Sequence, residues 1–337
     1  MKLLFIGGIN QGNLPRGGEE YKNQLLTSKI ADSSFQDNII DTYQWQKRPS
    51  TWFKLIYHIV FSQWESVVIS ASSVSTYRLL KLINLIRPSL MQKTTYLVIG
   101  GYFPEGIRDK RFDWHIYVGL KNIIVEGEIL KDVLIANSDL KNLKVLPNFK
   151  EFPVLEYNKI RSSEIYQFVY LGRISKSKGI NEILKAIEIV SQKTSINFVV
   201  DFYGPMDDNF DFTNQSTEYK GFLDFQGNPQ KSYQKLSDYN CMLFPTYWMG
   251  EGFPGVLLDS FIAGLPVIAS DWNMNKEVII DGVNGYIVEP KNALDLADKM
   301  IYALKNKNEL AKMGSTNILK AEHYHIEKVW PRIVDLI

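Results

Sequence analysis

The chain has 337 residues, 45% of them hydrophobic, which suits two buried cores better than one. Its formal net charge of +1 is too modest to argue for nucleic-acid binding, but the charge is uneven: residues 1–150 carry 19 Lys and Arg against 13 Asp and Glu, the remainder 19 against 24. The single cysteine, Cys241, excludes an intramolecular disulfide and fits a reducing cytosol, and no uncharged apolar run reaches the roughly 18 residues needed to span a bilayer.

The opening MKLLFIGG is too short for a signal peptide and reads as a first strand, Lys2 to Ile6, ending at Gly7-Gly8. The loop INQGNLPRGGEE follows, then a helix over about Glu19 to Lys29. A strand, a glycine loop and a helix in this order look like a dinucleotide-binding start, but the glycine spacing is wrong for one, which counts against a nicotinamide enzyme. Further strands are expected at Asn38–Thr42, Val67–Ser70, Thr95–Ile99, Asn122–Val125 and Lys144–Leu146. Helical stretches lie between them, so the pattern predicts a parallel sheet with helices on both faces. Residues Trp52 to Trp64, WFKLIYHIVFSQW, are apolar nearly all round, and Arg78 to Lys93 repeats the theme. Two readings stay open: basic amphipathic helices at a membrane interface, with Lys47, Arg48, Trp52, Lys54, Arg78, Lys81 and Arg87 as contacts, or plain covers for the sheet. His58 and His115 sit on apolar stretches and read as structural. Lys150 to Ser163, polar and carrying Pro153, reads as a linker.

In the second half, Tyr166 to Gly172 is a buried strand running into RISKSKG and a helix, Ile180 to Val190. Cations at a strand's end before a helix suit a diphosphate. Asn197–Tyr203 is a strand, Lys231 to Ser237 a short helix, and CMLFP a strand that enters the loop carrying Gly250, Glu251, Gly252 and Gly255. Pro254 suits the first turn of a helix at Val256 to Ile262; Gly264 can end it in the left-handed conformation, and Pro266 to Ser270 is the next strand. The glycines allow close approach of a ligand, and the helix start suits a phosphate. Glu251 and Asp259, flanking that anion site, fit a diphosphate between two sugars; the plainer reading is a tight turn and a solvated Asp. The last stretch, HYHIEKVWPRIVDLI, places Ile326, Val329, Trp330, Ile333 and Leu336 at helical spacing, with Pro331 expected to kink or restart the helix.

These motifs resemble the retaining glycosyltransferases of family 4, which have the GT-B fold. The resemblance is strong over roughly residues 165 to 337. That family carries Glu, seven residues, Glu, then a G-L-P-V-I-A strand; here Glu251, Asp259 and Gly264 to Ala269 stand in those places. The resemblance implies that Glu251 contacts the transferred sugar and that Asp259, one methylene shorter than the family's Glu, holds the ribose. The family's Gly-Arg, gap, Lys-Gly matches Arg173 and Lys178, which would hold the diphosphate. Gly17 and Gly18, with Arg16 beside them, match a Gly-Gly pair facing the diphosphate. Tyr219, Lys220, Gly221, Phe222 and Leu223 match the family's short strand, whose following loop would cradle the base. Gly252, Phe253, Pro254, Gly255 and Val256 complete the implied donor site. The family's His after the strand near residue 99 has no equivalent in Gly100-Gly101-Tyr102-Phe103.

The resemblance therefore implies an α/β protein of two Rossmann-like domains facing a cleft: an acceptor domain over 1–152, a donor domain over 153–318, and a last helix over 319–337 returning to the first domain. The expected activity is a hexosyltransferase that moves a sugar from a nucleotide-sugar, UDP-sugar favoured, to a hydroxyl with retention. No cofactor and no metal are expected, since the chain has no Asp-x-Asp and Arg173, Lys178 and the helix amides can carry the leaving charge. The basic first half favours a lipid-linked glycan acceptor in capsule, O-antigen or exopolysaccharide synthesis, on the cytoplasmic membrane face. One alternative is a soluble sugar-phosphate acceptor; another is a catalytically silent nucleotide-sugar-binding subunit.

Overall fold

The computed structural model describes residues 1–15, 17–155 and 165–337. Arg16 and most of the expected linker, from residue 156 on, lie outside the described residues. The chain divides into two units, Met1–Glu151 with Ile326–Ile337, and Phe152–His325.

In the first unit the short apolar runs become six parallel strands: β1 (Lys2–Gly7), β2 (Gln36–Asp41), β3 (Ser66–Ser70), β4 (Thr94–Leu97), β5 (Asn122–Val125) and β6 (Leu143–Val145), ordered β2-β1-β3-β4-β5-β6. Every residue of β3, β4 and β5 is buried, as a sheet covered on both faces requires. The crossovers are α1 (Gly18–Ala31), α2 (Pro49–Phe61), α3 (Ser73–Ile86), α4 (Tyr102–Arg108) and α5 (Glu128–Asn137).

The second unit repeats the plan with β7 (Tyr166–Leu171), α6 (Ile180–Lys193), β8 (Phe198–Tyr203), β9 (Thr217–Tyr219), α7 (Pro229–Ser237), β10 (Cys241–Phe244), α8 (Gly255–Ile262), β11 (Val267–Ser270), α9 (Asn275–Val278), β12 (Gly285–Val288), α10 (Ala293–Lys305) and α11 (Lys307–Ala321). Its parallel sheet is ordered β12-β11-β10-β7-β8-β9. Tyr219 is the last residue of β9 rather than the first of a strand. Gly221, at φ +76, takes the chain out of extended geometry there. Cys241 is buried within β10, as core packing.

The last helix, α12 (Ile326–Leu336), belongs to the first unit. Its Ile326, Val329 and Ile333 share a core with Leu3, Phe5 and Leu26, and Thr95 Oγ1 and Asn122 Nδ2 donate to Leu336 O at 3.1 and 2.8 Å. Residue 319, the expected start of this segment, falls inside α11; the chain changes units at His325–Ile326. Nor does the helix restart at Pro331, which stands inside a continuous α12. Pro331 is exposed, as is Glu327 one turn before it, so the proline's missing N–H falls on the solvent side of the helix.

Candidate active site

The second sheet runs outward from β7 through β9, then resumes on the other side of β7 with β10. Loops 172–179 and 245–254 leave the C-terminal ends of these two strands, at the point where strand order reverses and open parallel sheets bind ligands. The loops are knitted together. Tyr247 N–H donates to Ser177 O at 2.8 Å, and Gly179 lies so close that a Cβ on it would sit 2.2 Å from Pro245 O. With φ at +82 as well, position 179 admits only glycine without strain.

Two predicted site residues meet here. Lys178 Nζ donates to Glu251 Oε2 at 2.5 Å, and Thr246 Oγ1 donates to the same oxygen at 2.9 Å. The side chains of Lys178 and Glu251 are only 13% and 8% exposed. The ammonium also lies 4.4 Å from the Trp248 ring centroid. The loop is held from behind: Asn273 Nδ2 donates to Glu251 O at 2.9 Å and the Trp272 indole to Trp248 O at 2.8 Å. Removing either ion of so buried a pair would strand the other without compensation.

Helix α8 begins beside this pair. Pro254 is its N-cap rather than part of its first turn, and no side chain caps the helix. Leu257 N–H turns back to Pro254 O at 3.1 Å, so an anion at this end would draw on the amides of Gly255 and Val256, with the helix dipole behind them. At the other end Gly264, φ +67, closes a Schellman turn: Leu265 N–H donates to Ser260 O at 2.8 Å and Gly264 N–H to Phe261 O at 3.0 Å. Asp259, one turn into α8, is 3% exposed, and Tyr233 O–H donates to its Oδ1 at 2.8 Å.

The remaining predicted residues divide. Arg173 is 55% exposed and its Nη1 contacts Asp207 Oδ2 at 3.1 Å, a pairing that solvent makes weak and exchangeable. Gly172, beside it, approaches Val256: a Cβ on Gly172 would lie 4.0 Å from Val256 Cγ1. Gly204 packs on Gly172 O and its N–H donates to Gly221 O at 2.8 Å, so the Arg173 loop, the α8 start and the Gly221 loop form one rim. Phe222 is 70% exposed on that rim, while Leu223 is half-buried against the core. Gly252 and Phe253 are buried, and the Phe253 ring packs edge-on against Tyr324 at 5.2 Å. Sequence reading missed Thr246, Trp248, Tyr233, Asp207 and Asn273. Only Thr246 carried a signal, a hydroxyl at a strand's C-terminal exit before the glycine loop.

The first unit has its own reversal of order, between β1 and β3. A hollow of about 310 Å³ opens there, lined among others by Gly17, Glu19, Glu20, Tyr43, Gln44 and Ser72, with no Lys or Arg among the described lining residues. Gly18, next to Gly17, is exposed at the first position of α1. Burial pushes the Glu19 carboxyl up to about 7, helped by the charge of Glu20 and opposed by a hydrogen bond from the Ser72 backbone. A larger, shallower hollow of about 630 Å³, lined by Lys185, Glu188, Glu289 and Lys291, carries charges of both signs on an outer face and no convergent chemistry.

Known proteins resemble the chain in sequence and in fold. The matched parts of two Staphylococcus aureus proteins are a poly(ribitol-phosphate) alpha-N-acetylglucosaminyltransferase, 25% identical over 62% of this chain and 41% of its own, and the capsular polysaccharide biosynthesis glycosyltransferase CapM, 24% identical over 63% and 60%. The match thus spans about half the length of these relatives. Among solved structures, the lipopolysaccharide outer core galactosyltransferase WaaB superposes with a TM-score of 0.73 at 15% identity, covering 100% of this chain and 99% of its own. Anabaena HepE in complex with UDP superposes with 0.68 at 13% identity, covering 99% of each. These likenesses give the chain the GT-B fold. Residues 158–319, nearly all of the second unit, match the family Glycosyl transferases group 1.

Proposed function

We propose that the protein is a retaining, metal-independent hexosyltransferase that moves a sugar from a nucleotide-sugar to a hydroxyl of a glycan. The observation that carries this reading is the buried Lys178–Glu251 pair at the uncapped start of α8. A diphosphate at those amides would take charge-assisted hydrogen bonds from Lys178, whose ammonium has donors beyond the one given to Glu251, and from Arg173 once it exchanges Asp207. Glu251 then stands next to the sugar, the Asp259–Tyr233 pair at the ribose, and Phe222 offers a face for the base. The UDP-bound structural neighbour supports a UDP-sugar.

In the reaction the bond between the sugar's anomeric carbon and the phosphate oxygen breaks, and the acceptor oxygen bonds to that carbon from the same face. The acceptor's proton passes to the departing phosphate oxygen. Negative charge grows on the diphosphate as it leaves, where Lys178 and the amides of the loop are already in place and Arg173 joins them by exchanging Asp207. The acceptor belongs in the first unit's hollow. Two carboxyls, two amides and hydroxyls suit the hydroxyls of a neutral glycan. A relative in capsular polysaccharide biosynthesis supports a polysaccharide acceptor, and we propose a lipid-linked one.

Incubation with UDP- and GDP-sugars, with and without neutral glycosides and hexose phosphates, tests the reading. Slow donor hydrolysis and transfer to the neutral acceptor, surviving EDTA, are expected. Glu251→Ala should lose at least a hundredfold in turnover while UDP still binds, its diphosphate replacing Glu251 as the partner of Lys178. Nucleotide binding with no hydrolysis or transfer would make the chain a silent binding subunit, and preference for hexose phosphates would make it a soluble synthase.

A further inference from the structure

Among the described residues no helix is long and apolar enough to cross a membrane. One is nevertheless apolar on the wrong side. Helix α2 buries Leu55 and Ile59 against its own unit. Its opposite face presents Phe53, Ile56, Tyr57, Val60 and Phe61, exposed by 75%, 40%, 57%, 39% and 71%. At about 100° per residue these five positions fall within an arc of roughly 140°, a continuous stripe with no charged residue inside it. Soluble surfaces scatter such residues singly; a stripe of five marks a contact.

The charge around the stripe says which contact. Residues 42–93, which include α2 and α3, hold seven Lys and Arg and a single carboxylate, Glu65. Lys47, Arg48, Lys54, Arg78 and Lys81 are exposed. Arg87 is not available: its guanidinium donates to Ile59 O and Ser62 O at 3.1 and 2.6 Å, tying the end of α3 to the end of α2. The two tryptophans that flag this stretch in the sequence point elsewhere. Trp64 is buried with its indole donating to His58 O, and half-buried Trp52 stacks on Trp45 at 4.4 Å.

We infer that the outer face of α2 lies in the interfacial layer of an anionic bilayer, with Phe53, Tyr57 and Phe61 inserted and Lys47 and Arg48 at the headgroups; Lys54 Nζ is held by Ile39 O at 3.1 Å. An apolar stripe bordered by cations fits a surface that is anionic above and apolar below, and a helix lying in the membrane plane buries such a stripe without crossing. This rests on the apolar stripe of α2 and the cations beside it, and stands whether or not the chain transfers sugars.

Flotation of the full chain with vesicles of phosphatidylcholine alone and with phosphatidylglycerol added, across a salt series, tests it. Binding selective for the anionic vesicles, weakened by salt, is expected. Phe53→Ser with Phe61→Ser should reduce it at least tenfold, as should Lys47→Glu with Arg48→Glu, while thermal melting stays unchanged because all four side chains are exposed. A Phe53→Trp reporter should shift its emission to the blue on anionic vesicles. No binding to anionic vesicles at low salt, or binding indifferent to the two Phe substitutions, would overturn the assignment. So would a self-associated chain in solution that the same substitutions turn monomeric, since the stripe would then face a second copy.

Discussion

At the scale of single residues, the site rests on burial that sets what each charge can do. Lys178 and Arg173 match the same family motif, yet the structure separates them. Lys178 is fixed by Glu251 and Trp248 inside the loop, and Arg173 is solvated against Asp207. Lys178 therefore acts as a preorganised charge and Arg173 as one that moves into place. Glu19 is the residue with a pH signature. Its carboxyl holds its proton up to about 7, against 4.5 ordinarily, chiefly because it is buried. Below pH 4.5 it is protonated folded or unfolded and costs nothing. As pH rises from 4.5 through about 7 the unfolded chain gives up this proton more readily, so the folded state loses stability across that window. Urea midpoints of the first unit for the wild type and Glu19→Gln should diverge there, the variant becoming relatively more stable toward pH 8. Parallel profiles would show that Glu19 titrates normally.

At the scale of elements, the donor loop depends on backbone approaches that side chains would prevent. Gly179 precedes α6, and its neighbour Lys178 is aimed by the same turn. Gly179→Ala must accommodate a Cβ at 2.2 Å from Pro245 O in a backbone conformation with φ +82. The expected cost is about 1–3 kcal/mol, enough to push loops 172–179 and 245–254 apart. Turnover should fall together with UDP affinity, unlike the Glu251→Ala pattern; an unchanged affinity would mean the loops move independently. Helix α8 shows the opposite case, in which the sequence was enough. A proline cap without an acceptor, eight helical residues and a left-handed Gly264 are all local choices, and they appear in the structure where the sequence puts them to within one residue.

At the scale of the whole molecule, the first unit is completed by the last helix in the chain. Ile333 of α12 is 1% exposed in the core that contains Leu3 and Phe5, more than 300 positions earlier in sequence. Ile333→Ala should cost about 2–5 kcal/mol, the usual range for emptying such a site. The loss should appear in the melting of the first unit, read by exchange protection of β1 and β3, and leave β7 and β10 protected as before. Equal loss in both units would show that they unfold together.

What the sequence determined by itself is whatever depends on neighbours along the chain. Strand runs, the turns that end them and the Gly-Arg, Lys-Gly and Glu-x7-Asp spacings are set by local geometry, so both sheets and the donor loop could be read with only shifted ends. Tertiary structure alone decided what depends on partners distant in sequence. It gave Glu251 to Lys178 across 73 positions, gave Asp259 to Tyr233 and Arg173 to Asp207, and turned Phe253 inward. It also decided the fate of α2. A helix apolar all round has two apolar faces, and nothing in its periodicity says which one the sheet will cover. Packing chose Leu55 and Ile59, drew Trp52 and Trp64 inward, and left the Phe53–Phe61 stripe to solvent, because one face of a helix is all that a single sheet can bury.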